Sequence, residues 1–589
     1  MCGIAGIMTR DGSAPPEAAL NAMMDALSHR GPDGSGRHHG GDTVLLQTRL
    51  AIIDLTTGDQ PLYEPDGAAL VANGEIYNYV ELRARMEGTP FQTGSDCEPA
   101  LFLYRQMGDA FADELRGMYA IAIHDPTEGG SLILARDPFG IKPLYYAETE
   151  VGLIFASEPG VLLRTGLLDV ALDEAARDIF LQLQFSCGRF LPIAGVRRVL
   201  PGETLVARQG RIVARRQRQA LPPGGPERIT EQDALDRLDA ALRNSVRVHQ
   251  RSDVPYGLFL SGGIDSSAIL SMMAELNETP VIAFTAGFDD ASVQDEREHA
   301  RMLAKRVGAQ HEEVTFGRED FFRLLPRIAA AVDDPTADYA VLPSWTLAER
   351  AAQDLKVVLC GEGGDELFGG YGRYRSVQRP WWLGGKAIRS RGVFDRLGVL
   401  HDAPNGWRDS IAGREALDRQ AGRNRLQSAQ ATDCEDWLPN DLLVKLDRCL
   451  MAHGLEGRTP FLDPAVVEAA YRLPDDLKIR DGRGKWLLRQ WLNKRLPEAD
   501  SFAPKRGFTV PVGAWIAGDA ARLGPLVARQ ACIQEIARPD RVEALFMAAA
   551  RKREGQAAWV LLFYALWHKA LIGGAAIREA SIHEALEAA

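Results

Sequence analysis

Residues 254–276 constrain the fold more than any other part of the chain. An apolar run, VPYGLFL, ends in a glycine turn, SGGIDSS, and passes at once into an apolar helix, AILSMMAEL. A buried strand that turns on glycines into a buried helix is the opening of a parallel crossover, because the helix must pack back on the sheet its strand joins. The rhythm continues with PVIAFTAGF, a helix near residues 296–307, EEVTF, a long helical region and KVVLC. Strands alternating with helices of this length predict a doubly wound parallel sheet, followed beyond Tyr371 by a mostly helical part. The glycines let successive N–H groups and the helix N-terminus face an anion, so a phosphate group fits the turn. The G-x-x-x-x-G-K-[ST] form is missing, which disfavours a loop that transfers a γ-phosphate.

The first third reads differently. TVLLQTRLAIIDL, AALVANGEIYNY, MYAIAIHD, SLILARD and LIFASE are short apolar runs bounded by turn residues and predict strands, with helices confined to residues 80–86 and 98–107. A chain of 589 residues exceeds what one core supports. The proline- and glycine-rich PPGGPERI at residues 222–229 has the composition of a linker, so two domains are expected, 2–220 and 229–589. The Arg-rich stretch 373–425 reads as a solvated, irregular surface.

Charge and cysteine usage exclude several function classes. The net charge of −12 argues against a nucleic-acid partner, which would draw its affinity from clustered Lys and Arg. Seven scattered cysteines without a C-x-x-C pair fit neither a disulfide framework nor a zinc site, and a reducing cytoplasm is expected. MCGIAGIMTR has no secretory pattern, and the apolar stretch 559–567 covers only about half a bilayer. No membrane contact is expected.

Cys2 follows the initiator Met, whose removal would leave a thiol and a free α-amino group on one residue. An α-amino group, with a pKa of about 7.7–8.0, is basic enough to serve its own thiol at neutral pH. Position 2 alone favours a chance cysteine. The segments after it reverse that balance: HRGPDG at 29–34, RLAIIDL at 49–55, NGEIYNY at 73–79 and GSD at 94–96. With MCGIAG, these resemble the class II glutamine amidotransferases. The resemblance implies an N-terminal nucleophile hydrolase fold, an αββα sandwich of two antiparallel sheets between helices. It makes Cys2 the nucleophile on the glutamine amide and gives the oxyanion hole to Asn73 and Gly74. Arg49 would hold the α-carboxylate, with Leu50, Ala51, Ile52 and Ile53 in the same glutamine site, while Glu75 and Asp96 take the α-ammonium side. Cys97 stands where many relatives carry Thr, and Gln47-Thr48 where many carry His-Arg; neither change removes a ligand.

SGGIDSS in turn resembles the pyrophosphate loop of the ATP pyrophosphatases, which cleave ATP between the α and β phosphates. By that resemblance ATP is bound by Leu260, Ser261, Gly262, Gly263, Asp265 and Ser266, with Ala286, Cys360 and Gly361 around the adenine. The motif GEGGDELFGGY at 361–371 ends a strand, where open parallel sheets bind ligands. Asp265 and Asp365 would share Mg²⁺. Further matches are LDRCLMAHGLEGRTPFLD, GKWLLRQ and PKRGFTVP. Together they resemble the glutamine-hydrolysing asparagine synthetase family over nearly the whole chain, most weakly across 373–430. The resemblance gives Glu362 a part in forming or attacking an acyl-adenylate and makes Lys485, aided by Lys505 or Arg506, the cation on the α-phosphate. The implied activity is ATP-driven amidation of a carboxylate with ammonia from glutamine. Aspartate is the default acceptor; Gly457, where relatives often carry a larger apolar residue, keeps a peptide, sugar acid or secondary-metabolite acid open. Expected partners are thus glutamine, ATP and the acceptor, and a homodimer is entertained without a sequence feature that fixes it.

Overall fold

The computed structural model describes residues 2–587 apart from 290–295, 403, 405, 421 and 505–509. The first part is built on two six-stranded antiparallel sheets. One runs in the order Val196–Arg198, Tyr145–Glu148, Gly152–Ala156, Gly3–Thr9, Thr43–Arg49, Gly34–His39. The other runs Arg211–Gln217, Glu203–Arg208, Ser131–Arg136, Gly117–Asp125, Ala69–Ile76, Leu62–Tyr63. Successive side chains of a strand face opposite ways, and both faces of these sheets are apolar. Ile4, Met8 and Leu45 of the first sheet pack against Val71, Ala120 and Leu134 of the second. On its outer face the first sheet sets Ala5, Ile7 and Leu46 against Leu20, Met23 and Leu27 of the helix Glu17–Leu27. The second sheet sets Leu70, Ala72 and Ile121 against Leu101 and Phe102 of the helix Glu98–Met107. The result is the four-layer αββα sandwich.

The second part carries a five-stranded, wholly parallel sheet in the order Gln310–Phe316, Ile282–Phe288, Tyr256–Phe259, Val357–Leu359, Glu456–Arg458. One face, with Phe284 and Val358, is covered by the helices Arg318–Ala331 and Val341–Ala351; the other, with Leu258, Ala283 and Leu359, by Glu231–His249, Ile264–Leu276 and Arg297–Val307. This is the doubly wound arrangement. Residues 559–567 lie inside the helix Lys552–Leu571 and are buried in the core. Among the described residues no helix is long and apolar enough to cross a membrane.

Several local expectations need correction. The strand expected over 43–55 stops at Arg49, because the following residues leave the sheet to wrap the Arg49 guanidinium. The strands Gly3–Thr9 and Gly34–His39, and those between Tyr145 and Gln217 other than Gly152–Ala156, go beyond the predicted set, as does Glu456–Arg458, a sheet edge made of Glu-Gly-Arg. The stretch 373–425 is not uniformly solvated. Arg373 lies over the rings of Tyr371 and Trp437, 3.9 and 4.1 Å from their centroids, and pairs with buried Asp433. Arg389 covers the same Trp437 at 4.5 Å. Two guanidinium planes stacked on one indole make this region a wall behind Tyr371.

The two parts are locked together by buried and partly buried ion pairs. Arg30 reaches Asp447, Arg116 reaches Asp463, and Arg198 reaches Asp334. Residues 221–229 form neither helix nor strand, but Leu221 is buried and the Glu227 N–H donates to the Arg472 carbonyl at 2.8 Å.

Candidate active site

Cys2 immediately precedes the strand Gly3–Thr9 of the first sheet, and Asn73 lies on the facing sheet. The Cys2 nitrogen is 3.3 Å from Asn73 Oδ1. Asn73 Nδ2 is buried and has no hydrogen-bond partner among the described residues. A buried amide donor left unpaired costs stability, and it is what a site prepared for an incoming oxyanion requires. Gly74 is held to glycine by the sheet itself, since a Cβ there would lie 2.2 Å from the Met118 carbonyl oxygen. Burial pushes the Cys2 thiol up, against a lowering hydrogen bond from the Leu50 backbone. Such a thiol needs a base to become a nucleophile.

Arg49 ends the strand beside Cys2. Its guanidinium bonds Asp59 at 2.6 Å and the carbonyls of Ile53 and Asp54, so residues 50–54 curl around it rather than lining up as a strand. Ala51 N donates to Asp33, while Leu50 and Ile52 are buried and Ile53 is partly so. Asp96 accepts from the Ile76 N–H at 2.7 Å, and burial lifts its carboxyl to about 6. Glu75 is also raised by burial, with Asp96 adding to the rise. Its Oε1 lies 3.3 Å from Arg458, a residue of the parallel sheet's edge strand. Arg458 is also paired with Glu456, so the buried charges beside Cys2 and Asn73 are shared with the second part of the chain. Arg30 adds another link, donating through Nε to the Cys2 carbonyl at 3.2 Å. Arg30, Glu456 and Arg458 stand in HRGPDG and GLEGR, yet no role for them was predicted; their place inside these motifs was the available signal.

The second constellation sits at the C-terminal ends of the parallel strands, in a cavity of about 300 Å³. Leu260, Ser261, Asp265, Ser266, Ala286, Cys360, Gly361, Glu362 and Asp365 line it. Gly262 and Gly263 form the turn beneath, and Gly262 has a φ of +69° that L side chains disfavour. Ser266 Oγ ties the loop by accepting from the Ser261 N–H at 3.2 Å. Lys485 is buried, and its Nζ contacts Asp265 and lies 2.8 Å from Asp365 Oδ1. Burial alone would lower its pKa, but the two carboxylates hold the ammonium above its ordinary value. The glycines around this triad make room for it: a Cβ at Gly364 would be 2.5 Å from Asp265 Oδ1, and one at Gly370 would be 1.8 Å from Asp365 Oδ1, so either would displace the carboxylates. Glu362 is raised by burial, with Lys445 opposing the rise. Lys505 and Arg506 fall outside the described residues. Glu366, Tyr371 and Lys445 line the same cavity and were not predicted; Tyr371 donates to Glu366 at 2.7 Å.

Two family models divide the chain between them: the glutamine amidotransferase domain matches residues 1–218 and asparagine synthase matches 237–569. Asparagine synthetase [glutamine-hydrolyzing] 1 of Bacillus subtilis is 32% identical, covering 96% of this chain and 96% of its own length. A putative asparagine synthetase [glutamine-hydrolyzing] of Mycobacterium tuberculosis is 36% identical over 88% of each chain. Asparagine synthetase B [glutamine-hydrolyzing] of Escherichia coli is 29% identical over 88% of this chain and 83% of its own. With a thiol site in one part, a glycine-loop site in the other and relatives matched nearly end to end, the chain belongs to the asparagine synthase family and carries a glutamine amidotransferase domain.

Proposed function

We propose that this protein hydrolyses glutamine at Cys2, passes the ammonia internally, and uses it to amidate a carboxylate activated as its AMP ester, releasing AMP, pyrophosphate and glutamate. Residues 2–220 serve as the glutaminase unit and 229–589 as the synthetase unit. The observation that carries this reading is the pairing of Cys2 with Asn73, whose buried Nδ2 waits without a partner. Cys2 Sγ attacks the side-chain amide, Asn73 and Gly74 receive the oxyanion, and Arg49 and Asp96 fix the two ends of the zwitterion. For Arg49 this means sharing its guanidinium between the substrate and Asp59, which is largely exposed and able to yield.

In the synthetase unit a carboxylate oxygen attacks the α-phosphorus of ATP, and Lys485 stabilises the charge that develops there. Asp265 and Asp365 present hard oxygen donors on neighbouring strand ends, a set that fits Mg²⁺ completed by phosphate oxygens. The metal, when bound, neutralises the leaving pyrophosphate. Glu362, made more basic by burial, assists removal of a proton from the attacking ammonia. Keeping ammonia inside the protein prevents its protonation in water, a form that cannot attack.

Aspartate is the default acceptor and asparagine the product, as the names of the relatives suggest. The test is incubation of the full chain with glutamine, Mg-ATP and aspartate. Pyrophosphate, glutamate and asparagine should appear together; pyrophosphate release that does not rise with aspartate overturns the acceptor.

A further inference from the structure

The segment that follows Arg49 touches both parts of the molecule. The Arg49 guanidinium donates to the Asp54 carbonyl at 2.5 Å, while the Asp54 N–H donates to Asp253 Oδ2 at 2.8 Å and the Asp253 N–H returns to the Ile52 carbonyl at 3.0 Å. The Asp54 carboxylate faces a third way: Oδ2 accepts from the Gly94 N–H at 2.7 Å and Oδ1 from the Thr57 N–H at 2.9 Å. One residue thus holds Arg49, the loop that carries Asp96 and the chain that enters the parallel sheet. It does so with a φ of +54°, in the left-handed region that a residue with a Cβ occupies at a cost. Glycine adopts that backbone freely but has no carboxylate for Gly94. Such strain persists only where the surrounding bonds over-determine it, and loosening any of them offers the backbone a relaxed alternative.

Asp253 stands three residues before Tyr256, where the strand Tyr256–Phe259 begins, and the far end of that strand opens the SGGIDSS turn. A second contact lies alongside. Asp33 Oδ2 accepts from the Ala51 N–H at 2.8 Å and from Lys356 Nζ at 2.7 Å, and Lys356 immediately precedes the strand Val357–Leu359, which ends at Cys360 and Gly361. Leu50 and Ile52 close the junction by packing with Val254, Tyr256 and Val357. The two strands run side by side in parallel register, Tyr256 beside Val357 and Leu258 beside Leu359. The segment 50–54 therefore rests on the near ends of the two strands whose far ends carry the nucleotide site, about 13 Å away by the rise of a four-residue strand.

We infer that Asp54 is a positioning residue that couples the two sites: glutamine held at Arg49 and Asp96 tightens the binding of ATP at the glycine loop, by way of Asp253 and the strand Tyr256–Phe259. This inference rests on the proposed glutamine and ATP sites. When the α-carboxylate of glutamine takes the Arg49 guanidinium from Asp59, the pull on the Asp54 carbonyl changes, and Asp253 is the group on the synthetase side that feels it. A zwitterion spanning Arg49 and Asp96 ties together the two elements that Asp54 joins. The segment is then already ordered when ATP arrives, and the second ligand has less to fix. Coupling of binding is reciprocal, so ATP tightens glutamine by the same factor.

The experiment uses the full chain carrying Cys2→Ala, so that glutamine binds without being consumed. Calorimetry gives the Kd for Mg-ATP with and without saturating glutamine, and the Kd for glutamine with and without Mg-ATP. Expected is a tightening of about fivefold or more, equal for the two ligands. Adding Asp253→Ala should bring both ratios to within about twofold of unity, while each ligand alone binds within about threefold of its former Kd. Asp253→Asn, whose Oδ1 still accepts from Asp54, should keep most of the ratio. Ratios near one in the Cys2→Ala parent, or ratios that Asp253→Ala leaves unchanged, overturn the inference. Glutamine should also slow amide exchange across residues 256–263 of the parent. That measurement decides if Asp253→Ala fails to fold by circular dichroism, and exchange there that ignores glutamine overturns the inference as well. Coupled binding without pyrophosphate release on addition of aspartate upholds the inference and sinks the proposed synthesis alone. Glutamate and pyrophosphate formed by the unmutated chain without coupled binding do the reverse.

Discussion

Arg30 and Asp447 form a two-point ion pair, Nη1 to Oδ2 at 2.8 Å and Nη2 to Oδ1 at 3.0 Å, with both side chains buried. The same guanidinium holds the Cys2 carbonyl through Nε and Glu158 through Nη1. The Cys2 backbone is thus tied to the helix Leu443–Met451 of the other part of the chain. Arg30→Leu leaves Asp447 and Glu158 with Arg448 as their remaining arginine and removes a buried two-point pair, a loss of up to about 3–5 kcal/mol. A lower urea midpoint is expected, together with more than one glutamate formed per pyrophosphate as coupling between the sites loosens. An unchanged midpoint and unchanged stoichiometry would count against this role.

Removing the orphaned amide tests the glutaminase site in isolation. Asn73→Ala should lower kcat for glutamate formation by about 10²–10³-fold, the usual cost of one oxyanion donor. Synthesis from added ammonium salts should continue near the wild-type rate, because Asn73 lies on the sandwich and not in the nucleotide cavity. Parallel assays with glutamine and with ammonium chloride separate the two.

At the other site, crowding gives a sharper test than charge. Gly370→Ala places a methyl group 1.8 Å from Asp365 Oδ1 and 2.4 Å from Lys485 Cε, so the aspartate and lysine must part. Pyrophosphate release should vanish while glutaminase turnover persists. Lys485→Gln should give the same split with less disturbance of the fold, and a variant that keeps more than about a tenth of the pyrophosphate rate would refute the part given to Lys485 in stabilising transition-state charge.

The pH dependence of glutamine binding follows from Asp96. Burial raises its carboxyl to about 6 from the 3.8 of a free aspartate. Between these values the folded chain binds more protons than the unfolded one, so this group's contribution to stability is full below pH 3.8 and is lost as the pH rises through about 6. Binding of an α-ammonium has the opposite slope, because it needs the ionised carboxylate. The KM for glutamine should fall as the pH rises through about 6, and Asp96→Asn should flatten that part of the profile at a higher KM.

Short loops at strand ends were legible in the sequence because their chemistry is local. SGGIDSS and GEGGDELFGGY carry their glycines, acids and neighbouring strand within a few residues, and the parallel sheet followed from the alternation around them. The thiol site was legible for a similar reason: Cys2, Arg49, Asn73 and Asp96 each sit in a compact motif. What stayed hidden depends on distant partners. Glu456–Arg458 has neither the length nor the side chains of an ordinary strand; it is stable as one because Val357–Leu359 pairs with it and because Arg458 finds Glu75 nearly four hundred residues away. Arg373 and Arg389 resemble surface charges until Trp437 supplies a ring to cover. Lys445 was printed inside no recognisable loop, and only the cavity reveals which way it faces.

The helix Leu443–Met451 serves two masters within one turn: Lys445 and Leu446 look into the nucleotide cavity, whereas Asp447 and Arg448 are gripped by Arg30, Glu158 and Asp333. A rotation or slide that reshaped the cavity would tear those grips. Change of acceptor in descendants of this chain is therefore channelled into side-chain replacement on a stationary axis, at positions such as 445 and 446, and a designer who wishes to retarget the enzyme has a few interchangeable letters there but no freedom to move the line they are written on.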